Sequence, residues 1–453
     1  MQRTERTGNA IVDGVIWKQL LIFFIPIMFG TFFQQLYNTV DAVIVGRFVS
    51  KQALAAVGGS TAQIMNLLIG FFVGLASGAS VIVSQFYGAG ERENVSKAVH
   101  TAMALAICGG AVMTGLGLVF APHLLKLMNT PTDTIELSAA YLRIVFLAMI
   151  PNMIYNVGSG ILRAVGDSRR PLYFLIAGCL VNVVLDAVFV LGLKMGVAGV
   201  AIATSLAQLV SAILVCITLS RAQDSYRLNL KKIRADRKFL GETVRIGLPS
   251  GLQAVMYSLS NMTITTCING FGTSTVAAWV ALGKVDALVW LIISAFGVSI
   301  MTFVGQNYGA HRSDRVRKSL KVCSLMSLVV VVALSVLLAV FGRIFFGLFT
   351  QDAEVVGIAY QMLLYMVPIY WIYIPIEMIS GALRGMGDTL IPTIITAMGI
   401  CVFRVIWLFT VVPQWHEILA IMISYPISWV LTSAAFIFYY RNVSKRLLPV
   451  QAK

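Results

Sequence analysis

Residues 159–167 read SGILRAVGD, and residues 380–388 read SGALRGMGD. A second pair of segments recurs in the same way, because residues 84–89 read SQFYGA and residues 305–310 read GQNYGA. In both pairs the second copy begins 221 residues after the first. Two motifs that share one offset indicate an internal duplication. The chain is therefore predicted to consist of two related halves.

The composition indicates that both halves lie in a membrane. Apolar residues make up 58% of the 453 residues and charged residues only 12%, which is about half the charged share of a soluble domain. A helix needs about 20 apolar residues to cross a bilayer, and twelve stretches are long enough. They lie near 17–45, 54–85, 96–120, 137–161, 170–192, 197–220, 240–268, 278–306, 318–345, 357–380, 389–413 and 417–440.

The offset of the repeat predicts the arrangement of these spans. It covers six spans, an even number, so corresponding helices of the two halves point in the same direction. We therefore predict an all-α membrane protein of 12 transmembrane helices in two six-helix bundles, related by a pseudo-two-fold axis along the membrane normal. Residues 1–220 form the N-terminal lobe, residues 221–239 a basic cytoplasmic linker, and residues 240–453 the C-terminal lobe.

The distribution of positive charge predicts the orientation. The formal net charge is +15, which could suggest a nucleic-acid partner. With the N-terminus inside, however, 26 of the 34 lysines and arginines fall on segments that face the cytoplasm. This is the positive-inside asymmetry of multi-pass membrane proteins. We expect both termini in the cytoplasm and no nucleic-acid partner.

The function class follows from what two like bundles can do and from motifs that the sequence lacks. Two repeated bundles are typical of alternating-access transporters. The sequence has no Walker A, G-x-S-x-G or H-E-x-x-H motif, so we expect neither an enzyme nor an ATP-driven pump. The six cysteines and four histidines show no metal-binding spacing. We expect no cofactor, and transport driven by an ion gradient.

Ionisable residues at membrane depth are costly, and each is a candidate for function. The first half has Asp41 on span 1 and Asp186 on span 5, with Asn182 on the same helical face as Asp186. Counting about 1.5 Å per residue places Asp186 and Thr204 of span 6 in the outer half of the bilayer. We predict that these four groups form a site for a shared proton or a Na⁺ ion. Helix–helix hydrogen bonding is the structural alternative.

Further polar residues extend this prediction. A bend in span 1 is predicted at its internal proline, and five polar side chains on spans 1 and 4 are predicted to line the substrate cavity. The secondary candidates lie in the second half, where a glutamate and an arginine could neutralise each other. The hinge and cavity residues are Pro26, Gln34, Tyr37, Tyr141, Asn152 and Asn156, and the secondary residues are Gln253, Glu377 and Arg404.

Taken together, these residues resemble the multidrug and toxic compound extrusion (MATE) family. The resemblance rests on the twelve spans, on the stretch 38–47 (NTVDAVIVGR), and on the two repeated motifs. It implies a V-shaped pair of six-helix lobes that exports amphipathic, mostly cationic compounds in exchange for H⁺ or Na⁺. We further predict a monomer in the plasma (inner) membrane of a prokaryote.

Within this family the chain looks most similar to the DinF-like branch, which places its cation site in the N-terminal lobe. Asp41, Asn182, Asp186 and Thr204 match that pattern, whereas the span 7 glutamate of the NorM-like branch is missing. Two alternatives remain open from the sequence. One is a flippase for lipid-linked oligosaccharides, and the other is a membrane receptor or scaffold that transports nothing.

Overall fold

The computed structural model describes residues 9–128, 130–350, 352–415 and 417–448. All regular secondary structure in these residues is helical. The α-helices are α1 (Ala10–Asp13), α2 (Ile16–Phe48), α3 (Lys51–Gly58), α4 (Ser60–Ala89), α5 (Arg92–Leu127), α6 (Ile135–Leu147), α7 (Met149–Ala164), α8 (Arg169–Asp186), α9 (Gly196–Ser220), α10 (Arg237–Ile268), α11 (Thr273–Gly309), α12 (Ser313–Gly347), α13 (Ala353–Met366), α14 (Ile374–Gly385), α15 (Leu390–Thr396), α16 (Phe403–Thr410) and α17 (Ile418–Leu447).

Five shorter helical segments interrupt or join these helices. Two are π-helical, Ala187–Gly192 after α8 and Ala397–Val402 between α15 and α16. Three are 3₁₀-helical, Leu230–Lys232, Asn269–Phe271 and Val367–Tyr373. π-helical turns are rare in proteins, and those that occur are often found at functional sites. Both of them therefore mark regions where a function should be sought.

The predicted membrane spans correspond closely to these helices. Ten segments of the described chain are long and apolar enough to cross a membrane, and α6 with α7 forms an eleventh that is bent by 52°. The remaining predicted span, 240–268, lies in α10. This helix has 32 residues and is about 48 Å long, which exceeds a bilayer core of about 30 Å. It is more polar than the others because it carries amides and hydroxyls such as Gln253, Ser260 and Asn261.

The two copies of the repeated motif fold into the same turn. The amides of Gly166 and Asp167 each donate, at 2.9 Å, to the carbonyls three and five residues earlier. Gly387 and Asp388 do the same at 2.9 and 3.0 Å. Both glycines adopt a left-handed backbone, with φ of 100° and 87°. This is the Schellman ending of a helix, and glycine is favoured there because it has no Cβ.

The packing divides the chain into two compact units. One is residues 25–255, called the N-terminal unit below, and the other, the C-terminal unit, joins the described residues of 1–24 to those of 256–453. Helix α2 therefore begins in the C-terminal unit and continues into the N-terminal unit. Helix α10 begins in the N-terminal unit and continues into the C-terminal unit. The lobe boundaries drawn from the sequence repeat, 1–220 and 240–453, remain a prediction about the duplication.

In the N-terminal unit, α4 and α10 approach each other through glycines. A Cβ on Gly74 would lie 2.6 Å from Gly251, and a Cβ on Gly247 would lie 2.1 Å from the carbonyl oxygen of Leu75. Glycines four residues apart on a membrane helix allow this close backbone contact. The spacing Gly74-x₃-Gly78 on α4 meets Gly247-x₃-Gly251 on α10.

The linker, residues 221–239, is part of the N-terminal unit and packs on α4 and α5. The backbone amide of Asn229 donates to Nε2 of His100 at 3.0 Å, and the amide of Asp236 donates to the hydroxyl of Thr101 at 3.2 Å. Phe239, the last residue of the linker and the third residue of α10, packs edge-on against Phe86. The linker is therefore held by specific contacts to α4 and α5.

The first described residues are held in the C-terminal unit in a comparable way. Nη2 of Arg315 on α12 donates to the carbonyl oxygens of Ile11, at 3.0 Å, and Gly14, at 2.7 Å. Arg312 forms an ion pair with Asp13 at 3.6 Å. Two arginines thus fix the chain just before α2 begins.

Candidate functional site

Asp41 lies on α2, fifteen residues after Pro26, and is only 6% exposed. Its Oδ2 accepts a hydrogen bond of 3.2 Å from the hydroxyl of Thr204 on α9. Its other carboxylate oxygen is buried without a hydrogen-bond partner. The chain folds here as one helix through Pro26, from Ile16 to Phe48.

Asp186 is the last residue of α8, directly before the π-helical segment Ala187–Gly192, and its side chain is fully buried. Asn182, one turn earlier on the same face, is also fully buried. Both side chains interact with the Asp41 carboxyl. The structure therefore brings together the four residues predicted to couple transport to an ion, and we call them the acid cluster: Asp41, Asn182, Asp186 and Thr204.

Five buried polar atoms of the acid cluster have no hydrogen-bond partner at ordinary distance, although their side chains interact with one another. Both carboxylate oxygens of Asp186, one of Asp41, and both amide atoms of Asn182 are buried and unpaired. Buried polar groups normally have partners, because an unpaired one costs free energy. Two carboxyls in contact at membrane depth favour a shared proton or a small cation. Oxygen ligands of this kind suit a hard cation, so the residues present fit H⁺ and Na⁺ alike.

Two predicted cavity residues adjoin the acid cluster. Tyr37 on α2 and Tyr141 on α6 both interact electrostatically with Asp41. A cavity next to the cluster is lined by Tyr37, Asn182 and Thr204, and also by Gln208 and Ser211 of α9. The sequence analysis missed these last two residues. Their spacing of four and seven residues from Thr204 places them near its face of the helix and could have identified them.

The other predicted cavity residues lie on α2 and α7. Asn156 donates to the side-chain oxygen of Asn152 at 3.0 Å and to its carbonyl oxygen at 2.9 Å, so these two residues pair with each other on α7. Gln34 is exposed on α2. Their role as cavity residues remains a prediction.

The secondary candidates fall in both units. Gln253 belongs to the N-terminal unit, whereas Glu377 and Arg404 belong to the C-terminal unit. The expected neutralisation of Glu377 by Arg404 is wrong. Glu377 forms an ion pair with Arg384, seven residues or about two turns further along α14, at 3.6 Å. Arg404 instead donates from Nε to the hydroxyl of Ser428 at 3.1 Å.

Comparisons with known proteins agree on one family. The MatE family model matches residues 26–188 and 249–410. The chain is 28% identical over 439 residues to the probable multidrug resistance protein YoeA of Bacillus subtilis, covering 95% of each chain. It is 26% identical to the probable multidrug resistance protein NorM of Thermotoga maritima, covering 86% of this chain and 84% of that one.

Solved structures show the same fold. A multidrug resistance MATE family transporter of the MOP superfamily, solved in an outward-facing conformation, superposes with a TM-score of 0.91 at 22% identity, covering 98% of this chain and 99% of the other. A MOP superfamily transporter from Pyrococcus furiosus gives a TM-score of 0.90 at 23% identity, with the same coverage. The predicted fold class is confirmed by these likenesses.

Proposed function

Because the chain belongs to the MatE family, whose model matches well over half of it, we propose that it is a secondary active multidrug exporter. It exchanges amphipathic, mostly cationic compounds for H⁺ or Na⁺. Relatives with 95% mutual coverage are named for multidrug resistance, which favours export over the flippase and receptor alternatives.

The acid cluster is the observation that carries the proposal. It joins two carboxyls from α2 and α8 with a hydroxyl from α9, deep in helices long enough to span a membrane. When both carboxyls are ionised, the cluster carries two negative charges at a depth where charge is costly. Binding of a proton or Na⁺ neutralises part of that charge. The net charge of the acid cluster therefore depends on whether the coupling ion is bound.

Antiport follows if the two states of the cluster differ in their affinity for substrate. An ionised cluster attracts a cationic compound into its neighbourhood, and a neutralised cluster does not. Ion entry from outside thus releases the compound outward, and ion release to the inside restores the attraction. The exchange requires only that ion and compound oppose each other in binding, as reciprocal coupling demands.

The location and assembly follow from the same proposal. The excess of lysine and arginine on one set of loops supports a multi-pass protein of a prokaryotic plasma membrane with both termini in the cytoplasm. We propose that it works as a monomer on small molecules, without nucleic acid. The position of the acids on spans 1 and 5 supports the DinF-like branch.

The test uses purified protein in proteoliposomes and measures ethidium transport together with the pH of the lumen, with and without sodium. Wild-type protein should move ethidium against an ion gradient. Asp41→Asn should lower the coupled rate by about 5- to 150-fold, the range of typical coupling energies. A pH change driven by ethidium without sodium identifies H⁺ as the coupling ion, and a strict sodium requirement identifies Na⁺.

Glu136→Gln is the matched control, because it removes one carboxylate from an exposed position on α6 in the same unit. It should leave both readouts unchanged. Undiminished coupled efflux by Asp41→Asn would remove Asp41 from the mechanism. Ethidium that moves without any ion movement in the wild type would refute antiport.

A further inference from the structure

Arg404 is a buried arginine that has no acidic partner among the described residues. It lies on α16, two residues after the π-helical segment Ala397–Val402, and is 4% exposed. Its Nε donates to Ser428, but its Nη2 is buried and has no hydrogen-bond partner. Within the described chain, no carboxylate oxygen lies within 4.0 Å of its nitrogens. A buried charge of this kind is costly and is expected to have a counterpart.

Two acids of the C-terminal unit, Glu377 and Asp286, interact with the same tyrosines as Arg404, and both already have partners. Glu377 forms its ion pair with Arg384, and Asp286 accepts a hydrogen bond from the hydroxyl of Tyr370. The missing counterpart of Arg404 is therefore not supplied by these two side chains.

A second unpaired donor lies beside the arginine. Nε1 of Trp429 on α17 is buried without a partner, and the whole side chain is inaccessible. The guanidinium carbon of Arg404 lies 5.8 Å from the centre of a Trp429 ring and 4.0 Å from the centre of the Tyr425 ring. Two N–H donors without acceptors in one cluster point to a ligand that supplies acceptor oxygens.

The surroundings of these donors are aromatic. Trp429 packs against Trp290, Tyr373 and Tyr425 with ring centres 5.6 to 5.8 Å apart. Trp290 and Tyr425 are half-buried, so the cluster extends from the interior of the unit to its surface. Aromatic walls of this kind accept flat apolar rings of different sizes. We call Arg404, Trp429, Tyr425, Trp290 and Tyr373 the arginine cluster.

We propose that the arginine cluster binds the carboxylate of an aromatic amphipathic substrate. Nη2 of Arg404 and Nε1 of Trp429 donate to the carboxylate oxygens, and the ring system of the substrate packs on Tyr425 and Trp290. Arginine suits this task because its guanidinium is always charged and presents planar donors to a carboxylate. The inference rests on the proposed export function and extends it from cations to zwitterions.

The test compares two dyes that differ only at the carboxyl group. Rhodamine 110 has a free carboxylate, and rhodamine 123 is its methyl ester. Dissociation constants are measured by fluorescence anisotropy on the purified full-length protein, and transport of both dyes is then measured in proteoliposomes. Arg404→Gln should weaken binding of rhodamine 110 about tenfold or more, as expected for loss of a hydrogen bond to a charged group. Binding of rhodamine 123 should change less than twofold.

Arg343→Gln is the matched control. Arg343 also stacks on a tyrosine, with its guanidinium carbon 4.9 Å from the ring centre of Tyr360, but it is exposed on α12. Its replacement should leave both constants unchanged. Arg404→Lys keeps the charge without the planar donors and should give an intermediate preference for rhodamine 110. This variant also decides the matter if Arg404→Gln fails to fold.

The outcomes separate the two proposals. Equal loss of both dyes, or no loss of either, in Arg404→Gln and Arg404→Lys would overturn the inference. Wild-type protein that binds rhodamine 123 but not rhodamine 110 would overturn it as well. Arginine-dependent binding of rhodamine 110 without transport of either dye would support the site and refute the export function.

Discussion

The close contact between α4 and α10 makes a strong prediction about one glycine. An alanine at residue 247 would place its Cβ 2.1 Å from the carbonyl oxygen of Leu75 and 2.8 Å from its Cα. Both atoms belong to the backbone, so no side-chain rotation relieves the overlap. The optimum for such contacts is about 3.5 Å, and the two helices must therefore move apart by about 1 Å.

The cost can be worked out from this displacement. Overpacking of a well-packed site typically costs about 1–3 kcal/mol, and a gap of up to 1 Å forfeits about a quarter to a half of each neighbouring contact. Alanine is a better helix former than glycine by about 1 kcal/mol, which offsets part of the loss. We expect Gly247→Ala to destabilise the N-terminal unit by about 1–2 kcal/mol. For a unit of about this size, that lowers the melting temperature by about 2–8 °C.

Gly241→Ala provides the control in the same helix. A Cβ at Gly241 would meet nothing within 4 Å, and the residue is exposed. This variant gains helix propensity without a clash and should melt at or slightly above the wild-type temperature. The assay is tryptophan fluorescence during heating in detergent at one fixed scan rate, since membrane proteins unfold irreversibly. If Gly247→Ala melts at or above the wild type, the close backbone contact of α4 with α10 is refuted.

Two further predictions concern side chains that donate hydrogen bonds. Thr204→Val removes the hydroxyl that donates to Asp41 and should lower drug-driven ion movement in proteoliposomes about 2- to 10-fold, whereas Thr204→Ser keeps the donor and should retain the wild-type rate; equal rates in both variants would separate this bond from ion coupling. Arg315→Gln removes the donors to Ile11 and Gly14 and should speed amide hydrogen exchange of residues 11–14 about tenfold. The exposed Lys318→Gln on the same helix should leave that exchange unchanged, and an equal increase in both would contradict an anchoring role for Arg315.

The repeated motif predicts local structure well because the physical cause is local. A helix that ends in a left-handed residue needs only a few neighbours to form its turn, and Gly166 and Gly387 form the same turn 221 residues apart. The other motif pair illustrates the limit of reasoning from residue type. Gly90 and His311 also lie 221 residues apart and both have positive φ, of 75° and 54°. A histidine at position 311 does not predict a left-handed backbone from the sequence, whereas a glycine at position 90 does.

The acid cluster could be predicted for a related reason. Charges at membrane depth are few, and counting residues along helices gives their depth with useful accuracy. The partners of Glu377 could not be predicted in the same way. The sequence offers both Arg384 and Arg404 as possible partners of Glu377. Which of them forms the ion pair depends on the rotation of α14 and α16 about their axes. That rotation is set by tertiary packing, including the π-helical segment that shifts the register before Arg404.

The charges of the two units support a division of labour after duplication. The repeat places Trp407 at the position of Asp186, and Val183 at the position of Arg404. Asp186 of the N-terminal unit thus has no acidic counterpart in the C-terminal unit. Arg404 of the C-terminal unit has no basic counterpart in the N-terminal unit. Both nevertheless adjoin π-helical segments of the corresponding spans. In the register of the repeat, Ala397 corresponds to Ile176, eleven residues before Ala187, so the two irregular turns lie at different positions of the span. An exporter with an acidic site in one unit and a basic site in the other can bind a cation for coupling and an anionic substrate group without the two competing for one site.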